Sequence, residues 1–400
     1  MSKKIFLSDS YDEYGVINSV EEYLRIACDK KLLSLNTISL DLLLLSEVFE
    51  IFKDKELWLN IIYKKLEYAK HLIATYYYDI RLFGGLLDFA VALKFVHDRT
   101  GFFLKPLETI NKTITPLLNE KMHRSINAIE SLTISDYDLI AGATGLGIYL
   151  LYMDMDDLQS SSFHLLETYF SKICTINNRK YGWFIKYENQ LKTNEEMEKY
   201  KLGHYDCGAA HGIAGPLFVM SKMYKSKYFN RSSLETILDF YKSIEYKVND
   251  VFTWPGKVPP FNEIAVPFIN LSWCYGYTGI FNSLLTAYTI LGHTNEKNLL
   301  LENSIKMWQN IIVNNSMSYL RTLTLCHGYS GVLCGMTRTF KLTDEKSLLN
   351  NIALMRCYLI DNLRNINNNT SLLEGIQGVL LALLYSIRND TQFESLLLLK

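Results

Sequence analysis

Hydrophobic positions along this 400-residue chain fall into two recurring patterns. Some stretches are apolar at nearly every position, as in Ile148-Tyr149-Leu150-Leu151 and Val379-Leu380-Leu381-Ala382-Leu383-Leu384. A helix of that kind is buried on every side. Other stretches, such as Leu234 to Tyr246, are apolar along one face only and suit an outer layer against water. Five of the all-apolar runs follow a Gly-x-x-Gly: Gly142 to Gly145, Gly212 to Gly215, Gly276 to Gly279, Gly328 to Gly331 and Gly375 to Gly378. The pattern predicts a repeated unit of outer helix, two-glycine turn and inner helix, in which glycine permits positive φ and close backbone approach.

The second glycines lie at 145, 215, 279, 331 and 378, in steps of 70, 64, 52 and 47 residues. A degenerate sixth copy is visible at Phe83-Gly84-Gly85-Leu86-Leu87-Asp88-Phe89, and a seventh without glycines near Leu42 to Leu45. Units of this length resemble helix-pair repeats. Closure into an all-helical ring of six or seven pairs is the simplest arrangement, because an open solenoid would leave the apolar inner helices exposed. Two segments break the repeat. Residues 175–206 are polar, with Tyr181 to Tyr187 reading as a short strand; residues 252–270 hold four of the seven prolines and are no regular helix. Both are expected to be elaborations near the ring's mouth on one domain spanning 1–400.

Charge and cysteines narrow the chemistry. A net charge of −1 with no basic run gives no reason to expect nucleic acid, so a peptide or small molecule is the better substrate class. The start, Met1 to Asp9, has too short an apolar core for a signal peptide, and no run approaches the roughly 20 residues of a membrane span. The expected location is the cytoplasm, where seven cysteines act as core residues, thiolates or metal ligands, not disulfides.

In two copies a cysteine occupies the same place: Trp273-Cys274-Tyr275-Gly276 and Leu325-Cys326-His327-Gly328. The residue before each first glycine is Ala141, His211, Tyr275, His327 and Glu374 in turn. Consecutive copies are neighbours in a ring, so His211, Cys274, Cys326 and His327 should converge at one end. Three soft ligands, Cys274, Cys326 and His327, with a fourth position free, match a catalytic zinc. A rival cluster of His204, Asp206, Cys207 and His211 stays open, since Cys207 and His211 have a four-residue spacing used by metal-binding pairs. Cys28, Cys174, Cys334 and Cys357 read as small core hydrophobes. Asp138 reads either as an acid/base group or as a helix cap before Leu139-Ile140.

Trp273 to Gly276, Cys326 to Gly328 and Ala210-His211-Gly212 to Gly215 together resemble the lanthionine synthetase C-like family, most closely the stand-alone cyclases of class I lantibiotic biosynthesis. The resemblance runs from about Gly84 to Gly378, and Asp136-Tyr137-Asp138 and Tyr187 to Gln190 belong to it. It implies an α/α toroid of about seven inner and seven outer helices, one zinc ion, and a small SH2-like extension known in one member. It maps the metal ligands onto Cys274, Cys326 and His327, the acid/base pair onto His211 and Asp138, and substrate-binding aromatics onto Trp273 and Tyr275. Two departures stand out: Asn270 where the family usually has Arg, and Thr278 where the turn usually has Pro.

The implied reaction adds a cysteine thiol of a dehydrated precursor peptide to dehydroalanine or dehydrobutyrine, closing a thioether ring. The implied partners are a dehydratase and a peptide exporter, which would hold the enzyme at the inner face of the membrane. Two other readings fit the same residues: transfer of an external thiol such as glutathione, and a zinc-stabilised scaffold without turnover. A prenyltransferase-like zinc toroid has a different ligand pattern. The precursor peptide, the number and order of rings, the oligomeric state and the effect of Asn270 are not legible in one sequence.

Overall fold

A computed structural model describes residues 13–28, 34–153, 157–191, 193–224, 229–260, 268–313, 320, 322–366 and 370–400. Fourteen helices form two concentric rings among these residues. In chain order they are α1 (Glu13–Cys28), α2 (Leu35–Val48), α3 (Lys55–Thr75), α4 (Leu86–Thr100), α5 (Leu104–Asn127), α6 (Ala143–Tyr152), α7 (Asp157–Ile173), α8 (Ala214–Tyr224), α9 (Arg231–Ile244), α10 (Tyr277–Leu291), α11 (Thr294–Val313), α12 (Tyr329–Thr343), α13 (Leu349–Asp361) and α14 (Ile376–Ile387). The even-numbered helices are the inner ring. Each packs on the next, and α14 packs on α2 to close the circle. The odd-numbered helices lie outside, with α1 covering the seam between α14 and α2. The protein is therefore an α/α toroid whose seventh inner helix is the glycine-free run at Leu42 to Leu45. Cys28 ends α1. Pro267 of the proline-rich segment lies outside the described residues.

The amphipathic difference read in sequence has its expected consequence. Leu42 to Leu45 and Val379 to Leu384 are fully buried, whereas α9 buries Leu234, Ile237, Leu238 and Tyr241 on one face. The motif glycines serve close approach, and positive φ is not their reason. Gly142, Gly276, Gly328 and Gly375 are extended at φ −94, −116, −123 and −113. The second glycine of all five copies lies against the carbonyl six residues earlier, as Gly279 against Trp273 O and Gly331 against Leu325 O. A Cβ at either place would overlap that oxygen, so glycine lets the inner helix start directly beneath the preceding turn. Only the degenerate copy uses left-handed freedom, at Gly84 with φ 78.

Within 175–206 the regular strand is shorter than the Tyr181 to Tyr187 pattern suggests. β1 (Ile176–Asn177) pairs with β2 (Lys180–Tyr181) through a tight turn with Asn178 and Arg179 at positive φ. Beyond it the buried Trp183 stacks on Tyr181, and Ile185 makes a single bridge to His204. β3 (Tyr205–Asp206), β4 (Tyr246–Val248), β5 (Val251–Thr253) and β6 (Lys257–Val258) follow. β4 pairs with β5, and β3 with β6, which lays the proline-rich segment beside the turn that leads to His211. At the other end of the ring the C-terminal segment is pinned by the buried Glu47 carboxylate. It accepts the Gln392 and Phe393 N–H groups at 2.8 and 3.2 Å.

Candidate active site

The inner helices begin at one end of the ring, and a relay of backbone hydrogen bonds joins their preceding turns. Leu82 N–H donates to Ile140 O, Leu139 to Ala210 O, Ala209 to Cys274 O, Trp273 to Cys326 O and Leu325 to Leu373 O, at 2.7 to 3.1 Å. Each acceptor lies two residues before the first glycine of its copy. Positions matched in the repeat are thus neighbours in space, and the relay carries Cys274 to Cys326 directly.

Cys274 Sγ, Cys326 Sγ and a ring nitrogen of His327 all lie within 4.8 Å of one another. Both thiols are buried and His327 is half exposed. A tetrahedral ion with bonds of about 2.0–2.3 Å spaces its ligands by roughly 3.3–3.8 Å, so the group fits zinc with little movement. The ring orientation fits as well. His327 Nδ1 lies 3.1 Å from Glu374 Oε1, which leaves Nε2 toward Cys326 Sγ at 4.0 Å. Imidazole ligands are ordinarily oriented by such an outer carboxylate. Hydrogen bonding from Cys326 and His327 holds the Cys274 thiol down at about 5, while the His327 imidazole is pushed up to about 9, chiefly by its bond to Cys274. The neighbouring thiolate pushes the Cys326 proton up. The Cys274 thiolate is thus paired with the His327 imidazolium, and a metal ion bound by the three groups would displace the protons of His327 and Cys326.

His211 faces this cluster from the adjacent unit and stands outside the ligand group. Its Nδ1 is 2.8 Å from Asp138 Oδ2, and its ring centroid is 5.9 Å from that of Tyr275. Burial lowers the His211 pKa, but the Asp138 hydrogen bond and charge outweigh it, with Asp206 helping, and the net shift is upward. No helix starts at Leu139, since the next one begins at Ala143 with Gly142 at its N-cap, but Asp138 Oδ1 still accepts the Ala141 and Gly142 N–H groups of the intervening turn at 2.8 Å each while Oδ2 serves His211. Above the Tyr275 ring lies the Lys257 ammonium at 5.4 Å, paired with the buried Asp206 at 3.5 Å.

The tertiary structure redistributes other candidates. Trp273 is fully buried and donates its indole N–H to Leu397 O at 2.8 Å, so it anchors the C-terminal segment and does not line the site. Tyr275 does line it. The rival cluster is not assembled: among the described residues the Cys274, Cys326 and His327 group is the one set of three donors close enough. His204 is buried with neither ring nitrogen hydrogen bonded, and burial brings its pKa down to about 3. Cys207 and Cys334 are buried with their thiol pKa values raised by desolvation, and Cys174 likewise. Glu374 is the residue that sequence reasoning left without a role. Its signal was its register, since it precedes a first glycine as His211 and His327 do.

Comparison with known proteins gives the chain a family and its fold a relative. The family model described as lanthionine synthetase C-like protein matches residues 42–398. The nisin biosynthesis protein NisC of Lactococcus lactis subsp. lactis is 28% identical over 360 residues, 84% of this chain and 81% of its own length. A solved structure of nisin cyclase superposes with a TM-score of 0.80 at 24% identity, covering 96% of this chain and 97% of that one. That likeness shows the shared fold. The family match extends from the first inner helix to the C-terminal segment, and the chain belongs to the lanthionine synthetase C-like family.

Proposed function

We propose that this protein is a zinc-dependent lanthionine cyclase. On this reading it closes thioether rings in a dehydrated precursor peptide by adding cysteine thiols to dehydroalanine or dehydrobutyrine, as in lantibiotic biosynthesis. The observation that carries the reading is the two-thiol, one-imidazole cluster facing a carboxylate-held histidine across one mouth of the ring. Cys274, Cys326 and His327 would hold the zinc ion, which when bound lowers the pKa of a coordinating thiol and so delivers a substrate cysteine deprotonated at neutral pH.

The other steps fall to the protein's own groups. As the sulfur–Cβ bond forms, the Cα=Cβ π pair moves toward the carbonyl, giving an enolate that needs a proton at Cα. His211 supplies it from Nε2, because Nδ1 is held by Asp138. Asp138 has both oxygens occupied, which suits orienting His211 better than exchanging protons with substrate. The N-termini of the inner helices gather at this end, and their partial positive charge favours the developing anion. Tyr275 forms a wall of the site beside His211.

In the proposed setting the enzyme works in the cytoplasm with a dehydratase and an exporter at the membrane's inner face. No described helix is long and apolar enough to cross a membrane. The deciding experiment incubates the protein with a dehydrated, cysteine-containing peptide and alkylates the remaining thiols before mass spectrometry. Ring closure removes alkylatable thiols at unchanged peptide mass. A mass gain equal to glutathione, when that thiol is supplied, would mark an external-thiol transferase. No change in either would mark a scaffold.

A further inference from the structure

Beside the thiol cluster lies a pocket of about 240 Å³. Phe268, Ile269, Leu271 and Leu320 supply apolar walls, and Tyr275 and His327 close it toward the site. Several of its polar groups are engaged locally. Asn270 Oδ1 accepts the Ser272 N–H at 3.0 Å, and Ser272 Oγ lies 3.7 Å from Cys274 Sγ and accepts the Tyr275 N–H at 3.4 Å. Apart from the His327 ring, no lining residue carries a formal charge. The charged groups Asp138, His211, Asp206 and Lys257 are not among its walls.

We propose that this pocket is a subsite for an uncharged, apolar side chain flanking the substrate cysteine, so that the enzyme selects cysteines by an apolar neighbour. The inference rests on the cyclase reading for the identity of its occupant. Continuity argues for it, since the pocket shares Tyr275 and His327 with the site. Consecutive residues of a peptide are 3.8 Å apart, so a cysteine whose sulfur reaches the cluster brings its neighbour to this opening. Size argues for it too: an apolar cavity of about 150 Å³ takes a benzene ring, so this one holds a single leucine, isoleucine or phenylalanine side chain. At the rim Phe268 is 55% exposed, with its carbonyl fixed by the Tyr246 hydroxyl at 2.8 Å. An aromatic held open to water beside an apolar hollow completes a surface that an incoming side chain can cover.

The test is binding, read by fluorescence anisotropy on short labelled peptides whose single cysteine is flanked by Leu, Ala, Asp or Lys. Leu-flanked peptide is expected to bind roughly 10–100-fold more tightly than the Asp-flanked one, the discrimination typical of an apolar pocket. Phe268→Arg places a cation at the rim without removing core packing. It should narrow the Leu-to-Asp ratio at least tenfold while the thermal melt stays unchanged. Asn270→Arg is a second route to the same reversal. Equal dissociation constants for the four peptides, or a ratio unmoved in a folded Phe268→Arg protein, would overturn the subsite. Ring closure on dehydrated versions of the same peptides is scored separately. A Leu preference in binding with no ring formed would sink the cyclase reading and leave the pocket's selectivity standing.

Discussion

Asp138→Asn isolates the proton-handling half of the proposed mechanism. Asparagine can keep its carbonyl oxygen on the Ala141 and Gly142 N–H groups, where Asp138 Oδ1 now sits. Its amide nitrogen then replaces Oδ2 and offers hydrogens to His211 Nδ1, which must become an acceptor. The ring is left neutral with its proton on Nε2. A hydrogen bond to a charged partner contributes about 1.5–3 kcal/mol, and its loss disfavours the protonated ring and so lowers the His211 pKa. Burial already acts in that direction, and the charges of Asp206 and Cys274 are what remain to oppose it. In the proposed mechanism the protonated ring is the active form, so the wild-type rate falls as pH rises through the raised His211 pKa. In the variant this alkaline limb should move to lower pH, slowing ring closure at pH 7.5 through protonation alone by up to roughly 100-fold, the ceiling set by that hydrogen bond. The same pair contributes folding stability that is complete below the unfolded histidine pKa of about 6.5 and is lost as pH rises through the folded value. The gap in melting temperature between the two proteins should therefore be widest in mildly acid buffer and narrow toward alkaline pH. Thiol alkylation with mass spectrometry across pH 5.5–9 measures the limb, and elemental analysis checks that zinc is retained. An unmoved limb with rates within twofold of wild type would refute the role given to His211.

Replacing Cys274, Cys326 or His327 with Ala should lower bound zinc sharply by elemental analysis; full zinc in the Cys274→Ala, Cys326→Ala protein would return the His204, Cys207 and His211 group to consideration. Glu374→Gln should weaken metal affinity about 10–100-fold in a chelator competition, as expected for the carboxylate that orients a ligand imidazole, with the melt unchanged. Cys207→Ala and Cys334→Ala should keep zinc and turnover while costing roughly 1–2 kcal/mol of stability in denaturant titrations, since both thiols are buried outside the ligand group and Cys207 adds only a contact to Tyr205 O at 3.7 Å. Gly279→Ala drives a methyl group against Trp273 O and the Ala209 side chain, and should cost about 1–3 kcal/mol and loosen the Cys274 turn enough to reduce zinc content.

The sequence by itself determined the ring and the register of its chemistry. All-round apolar helices need burial on every side, and a glycine recurs wherever an inner helix starts under the carbonyl six residues back. Those are local requirements, so they repeat visibly along the chain, and matched positions such as Cys274 and Cys326 could be paired before any coordinates. What glycine was doing there was less legible: composition cannot tell left-handed φ from close approach, and the structure uses the second. Direction and adjacency belonged to the tertiary structure. Trp273 adjoins a proposed ligand in sequence, yet its Cβ points into the core and its indole ends on Leu397 O. Glu374 meets His327 from 47 residues away, and Asp138 meets His211 across 73. The apolar pocket draws its walls from Phe268 to Ser272, Tyr275, Leu320 and His327. Such contacts arise only when the circle closes and separate units are forced to share one mouth. A repeat records the shape each unit must take, while the site is made between units, where no single stretch of chain carries its signature.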